Sequence, residues 1–363
     1  MKVLMTADTV GGVWTYALEL ARALQPYGVE VLLAVMGPPL SAAQTSNARS
    51  ISNLNLFKSN YKLEWMPDCW SDVKHAGDWL LHLENRLQPD LVHLNGYAHA
   101  SLPWNSPTLV AGHSCVYSWW QAVKGNTPPA EWQRYKTEVT NGLNAADLVV
   151  TPTASMMQAL NTHYGPLGNR CVIPNGRNPE NFTSRSKRKF ILSAGRLWDE
   201  AKNIDRLVDI SCALPWPVVV AGDLQDRPRP RRCHWLGSLS EQELRRWFAA
   251  ASIYALPALY EPFGYTPLEA ALSGCALVLG DIDSLREVWS DAAVFVDPND
   301  SRALRNALLE LIDNTSHRQT MAQRARERAR EFTSARMVQN YFAAYVDLLD
   351  AHTNKKEEFA RCA

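Results

Sequence analysis

The sequence predicts an α/β protein of two domains, each organised around a parallel sheet. Strand-like apolar runs alternate with helix-spaced segments from the first residues onward, as in successive βαβ units. These runs are continuously apolar, which fits strands buried on both faces by flanking helices. The length of 363 residues also exceeds what one hydrophobic core usually serves.

In chain order, a first strand runs from Val3 to Ala7 and is followed by Gly11-Gly12. The next segment places Ala17, Leu20, Ala21 and Leu24 at helical spacing. Further strands are expected over Val29 to Val35, Leu91 to Leu94, Thr108 to Ala111 and Leu148 to Val150. The turn signal Val172-Ile173-Pro174-Asn175-Gly176 closes a first domain of residues 1–175, and a polar, basic stretch through Lys189 reads as a linker. The second domain, 190–333, opens on a strand from Phe190, with others over Pro217 to Ala221 and Ile253 to Leu256. A helix follows from about Ser316 to Glu331 with Met321, Ala325, Ala329 and Phe332 inward, then a last helix over about 334–350.

Bulk composition excludes several classes. Lysine plus arginine and aspartate plus glutamate each total 37, so no net charge favours nucleic acid or an acidic membrane. The basic clusters Lys187-Arg188-Lys189 and Arg227 to Arg232 read as solvated loop or linker. Seven scattered cysteines without a Cys-x-x-Cys pair fit reduced thiols rather than a disulfide frame or zinc site. No apolar run approaches the ~18–20 residues of a membrane span, and Lys2 enters a strand at once, which leaves no room for a signal peptide. The expectation is a cytoplasmic protein with at most peripheral membrane contact.

The most informative segment is Tyr260 to Ala270. Glu261 and Glu269 flank a Phe263-Gly264 turn, and Thr266, Pro267 and Glu269 read as the N-cap, first and third positions of a capped helix. Backbone N–H groups around Phe263, Gly264 and Tyr265 are then aimed at an anion or a hydroxyl-rich ligand. On the local pattern alone, a role in the cap only accounts for Glu269 equally well. Ser284 to Glu287 reads as a second capping box after an apolar strand.

This region resembles the sugar-nucleotide site of retaining family-4 glycosyltransferases, whose signature is a Glu, seven residues and a second Glu, with Phe-Gly inside and Leu-Glu-Ala after. Ala276 stands where that family usually has proline, and the similarity continues through Val296-Asp297-Pro298. The resemblance implies the GT-B architecture, an α/β fold of two Rossmann-like domains with parallel sheets facing across a cleft. It implies an acceptor-binding first domain, onto which the last helix packs back, and a donor-binding second domain.

Transfer of a sugar needs positive charge at the leaving diphosphate, a fixed sugar, and an electron-rich partner for the developing cation. Gly195-Arg196 at a strand end and Lys202 before a helix offer the charge without a metal. By resemblance, Arg196 and Lys202 neutralise the departing phosphates, and Gly11 and Gly12 let backbone approach a phosphate or the acceptor. His113 contacts the donor sugar near its reacting carbon, Glu261 holds the sugar, and Glu269 grips the ribose. Trp235 and Leu236, in Trp235-Leu236-Gly237, lie beside the nucleobase. His93 matches a family strand histidine and reads as core. Asp281-Ile282-Asp283 has the Asp-x-Asp form of a manganese grip, but capping or loop roles suffice for it. Of thirteen tryptophans, eight precede residue 133, and Trp14, Trp119 and Trp120 are candidates to stack on a saccharide acceptor.

The expected activity is retaining transfer of a hexosyl group from a nucleotide sugar, UDP-glucose-like, to a saccharide, lipid-linked or small-molecule acceptor, with no metal or other cofactor. A UDP-sugar 2-epimerase-like enzyme and a non-catalytic nucleotide-sugar sensor or scaffold are the alternatives. A dehydrogenase is disfavoured because Gly-x-Gly-x-x-Gly is absent.

Overall fold

The computed structural model describes residues 1–362, with side chains through residue 354. The chain divides into two compact units, one of 1–118, 126–176 and 334–363, the other of 119–125 and 177–333. Residues 119–125, which carry Trp119 and Trp120, group with the second unit, and so do residues 177–189, read from sequence as a linker.

The first unit holds a seven-stranded sheet of β1 (Lys2–Asp8), β2 (Glu30–Met36), β3 (Leu54–Lys58), β4 (Leu91–Leu94), β5 (Thr108–Ala111), β6 (Leu148–Thr151) and β7 (Arg170–Val172). Its order is β3-β2-β1-β4-β5-β6-β7, and every pairing is parallel. Successive strands run outward from β1 to β3, then the chain returns to the other side of β1 with β4. The carboxyl ends of β1 and β4 therefore form the switch point where α/β sheets bind ligands. Leu4, Val92, Val110 and Val149 are fully or almost fully buried in the sheet, so the apolar runs follow from burial on both faces.

The second unit holds a six-stranded sheet of β8 (Arg188–Ala194), β9 (Val218–Ala221), β10 (His234–Trp235), β11 (Ala251–Leu256), β12 (Ala276–Gly280) and β13 (Val294–Val296). Its order is β10-β9-β8-β11-β12-β13, again all parallel, with the switch point between β8 and β11. Gly222, just past β9, lies so close to β8 that a Cβ there would sit 1.8 Å from the Gly195 carbonyl oxygen. A side chain at this position would force apart the strand ends that carry Arg196.

The helix Thr315–Ala329 buries Met321, Ala325 and Ala329, while Phe332 is half-buried just beyond its end. The last helix, Ser334–Cys362, is longer than the expected 334–350 and packs against the helix Gly12–Leu24 in the first unit. Among the described residues no helix is long and apolar enough to cross a membrane.

Both capping boxes expected from the sequence are absent. The helix Tyr265–Leu272 starts at Gly264 (φ 92°), without a side-chain cap. The Phe-Gly turn uses a left-handed conformation that glycine takes without strain, so the helix begins before Thr266. Thr266 instead accepts a hydrogen bond from Tyr254 Oη at 2.7 Å. Pro267 still falls in the first turn, where its missing N–H costs nothing. The helix Asp283–Trp289 likewise begins before Ser284, whose hydroxyl donates to the Glu261 carbonyl oxygen at 2.7 Å.

Candidate functional site

At the β8/β11 switch point of the second unit, the predicted cations and carboxylates come together in pairs. β8 ends at Ala194, so Arg196 projects from the carboxyl edge, and its Nη2 donates to Asp199 Oδ2 at 2.8 Å. Its Nε finds no hydrogen-bond partner among the described residues. Lys202 closes the short 3-10 helix Glu200–Lys202 and donates to Glu261 Oε2 at 2.7 Å, both side chains being mostly buried. Burial works against an ionised Asp199, but Lys202 and Arg196 outweigh it and hold the carboxyl below its usual range. Trp119 Nε1 also donates to Asp199, at 3.1 Å.

A second charged cluster stands behind the Phe-Gly turn. Glu269 is buried, and its Oε1 lies 3.0 Å from Nε of Arg177, a residue only 1% exposed. Arg177 also pairs with Glu241, which accepts from Arg245 at 2.6 Å. Burial alone would raise Glu241; Arg177 and Arg245 bring it below the usual carboxylate range. The sequence reading passed over Arg177. Its place directly after the Asn175-Gly176 turn gives no sign that the guanidinium is buried.

Phe263 is buried against Phe332, with ring centroids 5.7 Å apart, so its side chain belongs to the core. Gly264 and Tyr265 open the helix whose first N–H groups lack a side-chain cap. The Trp235 indole donates to the Gly222 carbonyl oxygen at 3.0 Å, and the Arg229 guanidinium lies over its ring at 4.6 Å. Leu236 follows at the end of β10, its N–H donating to the Val220 carbonyl oxygen. Asp281 is paired with Arg286, and among the described residues no three of His, Cys, Asp or Glu gather as metal ligands.

At the β1/β4 switch point of the first unit the sequence-predicted groups are glycines and imidazoles, and Asp8, the last residue of β1, accepts from the Val10 N–H at 2.7 Å. Gly11 (φ 91°) and Gly12 are exposed at the start of the helix Gly12–Leu24, whose N-cap makes no side-chain hydrogen bond. His113 lies two residues past β5, and its Nε2 is 2.8 Å from Asn95 Oδ1. Burial pulls the His113 imidazole down to about 4. His93 is fully buried between Tyr16 and Tyr345 at 3.2 and 2.6 Å, and burial together with nearby His113 pulls it down to about 3. Its place is structural. Asn95, the residue after β4, was also passed over in the sequence, although Asn-Gly at a strand end marks a turn.

Of the three candidate tryptophans, Trp14 belongs to the first unit and Trp119 and Trp120 to the second. Trp14 is 7% exposed, on the helix Gly12–Leu24. Trp119 and Trp120 are half-buried neighbours with centroids 6.0 Å apart, and the Trp119 N–H is already engaged by Asp199.

The chain is similar to known proteins along most of its length. Residues 175–328 match the family model described as glycosyl transferases group 1, and residues 10–181 match Glycosyltransferase Family 4. The chain is 31% identical over 320 residues to the D-inositol 3-phosphate glycosyltransferase of Corynebacterium diphtheriae, covering 76% of this chain and 70% of that one. It is 29% identical over 304 residues to the glycogen synthase of Mycobacterium tuberculosis, covering 76% and 68%. Against the O-antigen chain mannosyltransferase B of Escherichia coli, 29% identical over 150 residues, the match spans 41% of this chain and only 35% of the relative. Among solved structures, sucrose-phosphate synthase from Thermosynechococcus elongatus superposes with a TM-score of 0.80 at 17% identity, covering 97% of this chain and all of that one. Anabaena HepE in complex with UDP-glucose gives 0.77 at 17% identity with the same coverage. Both parallel sheets thus belong to the GT-B fold. With matches running along both units, the chain belongs to the glycosyl transferases group 1, with a family-4 first half.

Proposed function

We propose that this chain moves a hexosyl group from a nucleoside-diphosphate sugar, UDP-glucose-like, to a hydroxyl of a saccharide, lipid-linked or small-molecule acceptor. The configuration at the transferred carbon is retained and no metal takes part. The observation that carries this reading is the pairing of Arg196 with Asp199 and Lys202 with Glu261 at the β8 edge. An incoming diphosphate exchanges these carboxylate partners for its own oxygens, and a guanidinium fork with an ammonium suits that charge.

In this mechanism the bond from the anomeric carbon to the diphosphate oxygen breaks, and the electron pair leaves with the nucleoside diphosphate. Arg196 and Lys202 stabilise the charge that develops, and backbone N–H groups around Phe263, Gly264 and Tyr265 assist. The acceptor oxygen bonds to the carbon on the same face, and its proton passes to the departing phosphate oxygen. His113 and Glu261 hold the sugar, Glu269 the ribose, and Trp235 and Leu236 border the base. Gly11 and Gly12 admit a phosphate or the acceptor, with Trp14, Trp119 and Trp120 as candidates on the acceptor side. The HepE complex with UDP-glucose supports the choice of donor, and the relatives named as D-inositol 3-phosphate glycosyltransferase, glycogen synthase and O-antigen chain mannosyltransferase support a hydroxyl acceptor.

The test is nucleotide release from a panel of UDP-, GDP- and ADP-sugars, without acceptor and with EDTA present. Slow release from one donor class is expected. Absence of both release and calorimetric binding for every donor overturns the reading, and release that requires a divalent cation overturns its metal-free form.

A further inference from the structure

Asn95 is tied to β1 by two hydrogen bonds and to His113 by a third. Its backbone N–H donates to Thr6 Oγ1 at 2.8 Å, and its Nδ2 donates to the Thr6 carbonyl oxygen at 2.6 Å. A backbone carbonyl only accepts, so the amide's NH₂ must face Thr6 and its Oδ1 must face the histidine. That Oδ1 lies 2.8 Å from His113 Nε2 and also only accepts, so the ring's hydrogen sits on Nε2.

The Tyr16 ring packs edge-on against the imidazole, with centroids 4.4 Å apart, and limits its rotation. With its pKa pulled to about 4, the ring carries a single proton at neutral pH, which leaves Nδ1 a bare acceptor. Among the described residues no hydrogen bond reaches Nδ1, and His113 is only half-buried. Asn95 follows β4 and His113 follows β5, so this acceptor stands beside the β1/β4 switch point.

We propose that Asn95 is a positioning residue that holds His113 in its Nε2–H tautomer, so that Nδ1 accepts from a hydroxyl of the bound sugar and the site takes neutral hexosyl groups over hexuronosyl groups. This rests on the nucleotide-sugar reading above. A sugar hydroxyl supplies the hydrogen that Nδ1 lacks. A carboxylate at the same place has none to share, and two acceptors face each other.

Two measurements test it. Long-range ¹H–¹⁵N NMR of the wild-type protein reads the tautomer directly. A protonated Nε2 and an unprotonated Nδ1 for His113 are expected, unchanged between about pH 6 and 8. The opposite tautomer, or an imidazolium in that range, overturns the proposal. The second measurement is kcat/KM for a hexosyl donor and its hexuronosyl counterpart, on the nucleotide that the release panel selects.

The wild type is expected to favour the neutral sugar by roughly 100-fold. Asn95→Ala should lower that preference about tenfold and mix the tautomers. Asn95→Asp, which sets a carboxylate against Nε2 and favours the doubly protonated ring, should lower the preference further. A folded Asn95→Ala protein with unchanged tautomer and unchanged preference removes Asn95 from this role. If that variant does not fold, the wild-type tautomer decides alone. Failure of every donor in the release panel counts against the transferase reading, whereas the wrong tautomer counts against Asn95 only.

Discussion

At the β8/β11 edge of the second unit, Arg196, Lys202, Glu261 and Asp199 meet as ion pairs, with Arg177, Glu269 and Glu241 clustered behind the turn. At the β1/β4 edge of the first unit, the same kind of switch point carries an amide, two imidazoles held neutral and exposed glycines, with Asp8 accepting from a backbone N–H. Under the proposed function, this difference divides the labour by chemistry. Paired charges can exchange partners with a diphosphate, whereas neutral donors and acceptors discriminate among hydroxyls by geometry.

The largest effect should come from the buried end of the charged side. Arg177→Met takes the guanidinium from buried Glu269 and leaves Glu241 with Arg245 alone, and removing one partner of a buried pair costs about 3–5 kcal/mol. Denaturant midpoints should fall accordingly; an unchanged midpoint would show that the cluster carries no net stability. Lys202→Ala should act on catalysis instead, lowering turnover by about 2–4 kcal/mol of transition-state stabilisation. Turnover near wild type would remove Lys202 from the leaving-group role.

The neutral side should show itself in acid. The unfolded chain protonates His93 near pH 6.5, whereas the folded chain resists until about 3. The unfolded state therefore binds more protons between those values, so stability falls as pH drops, by about 2 kcal/mol at pH 5 from this residue. His113, depressed to about 4 but only half-buried, adds less. Equilibrium unfolding at pH 7 and pH 5 should show a smaller loss for His93→Gln than for wild type, and equal losses would contradict a neutral His93. The smallest effect is expected at Asp281, whose pair with Arg286 is exposed. Asp281→Ala should cost under about 1 kcal/mol and leave nucleotide release unchanged. A strong loss of activity would revive the metal reading of that segment.

The charged half was far easier to read from sequence. The spacing of Glu261 and Glu269 around Phe263-Gly264, and Arg196 after a strand, mark positions that the fold then gathers at one edge. What the pattern concealed was the local start of the helix. Thr266 has the composition of a cap, but the conformation available to Gly264 moves the start forward and frees the hydroxyl for Tyr254. Arg177 was hidden because a guanidinium reads as surface until its two carboxylates arrive from distant segments. Asn95 was hidden because its partners, Thr6 and His113, are 89 and 18 residues away, and only the β1-β4-β5 order brings them together. β3 escaped because it is an edge strand with no fully buried residue, so Leu54, Leu56 and Phe57 mix with Asn55 and Lys58 and form no continuous apolar run.

The most direct test of the division of labour is calorimetric titration of UDP and of UDP-glucose, with EDTA present, into wild type, Lys202→Ala and His113→Ala. The account predicts that Lys202→Ala weakens both ligands alike, while His113→Ala weakens UDP-glucose and leaves UDP unchanged. Equal weakening of UDP by the histidine variant, or unaltered UDP binding in the lysine variant, would contradict it.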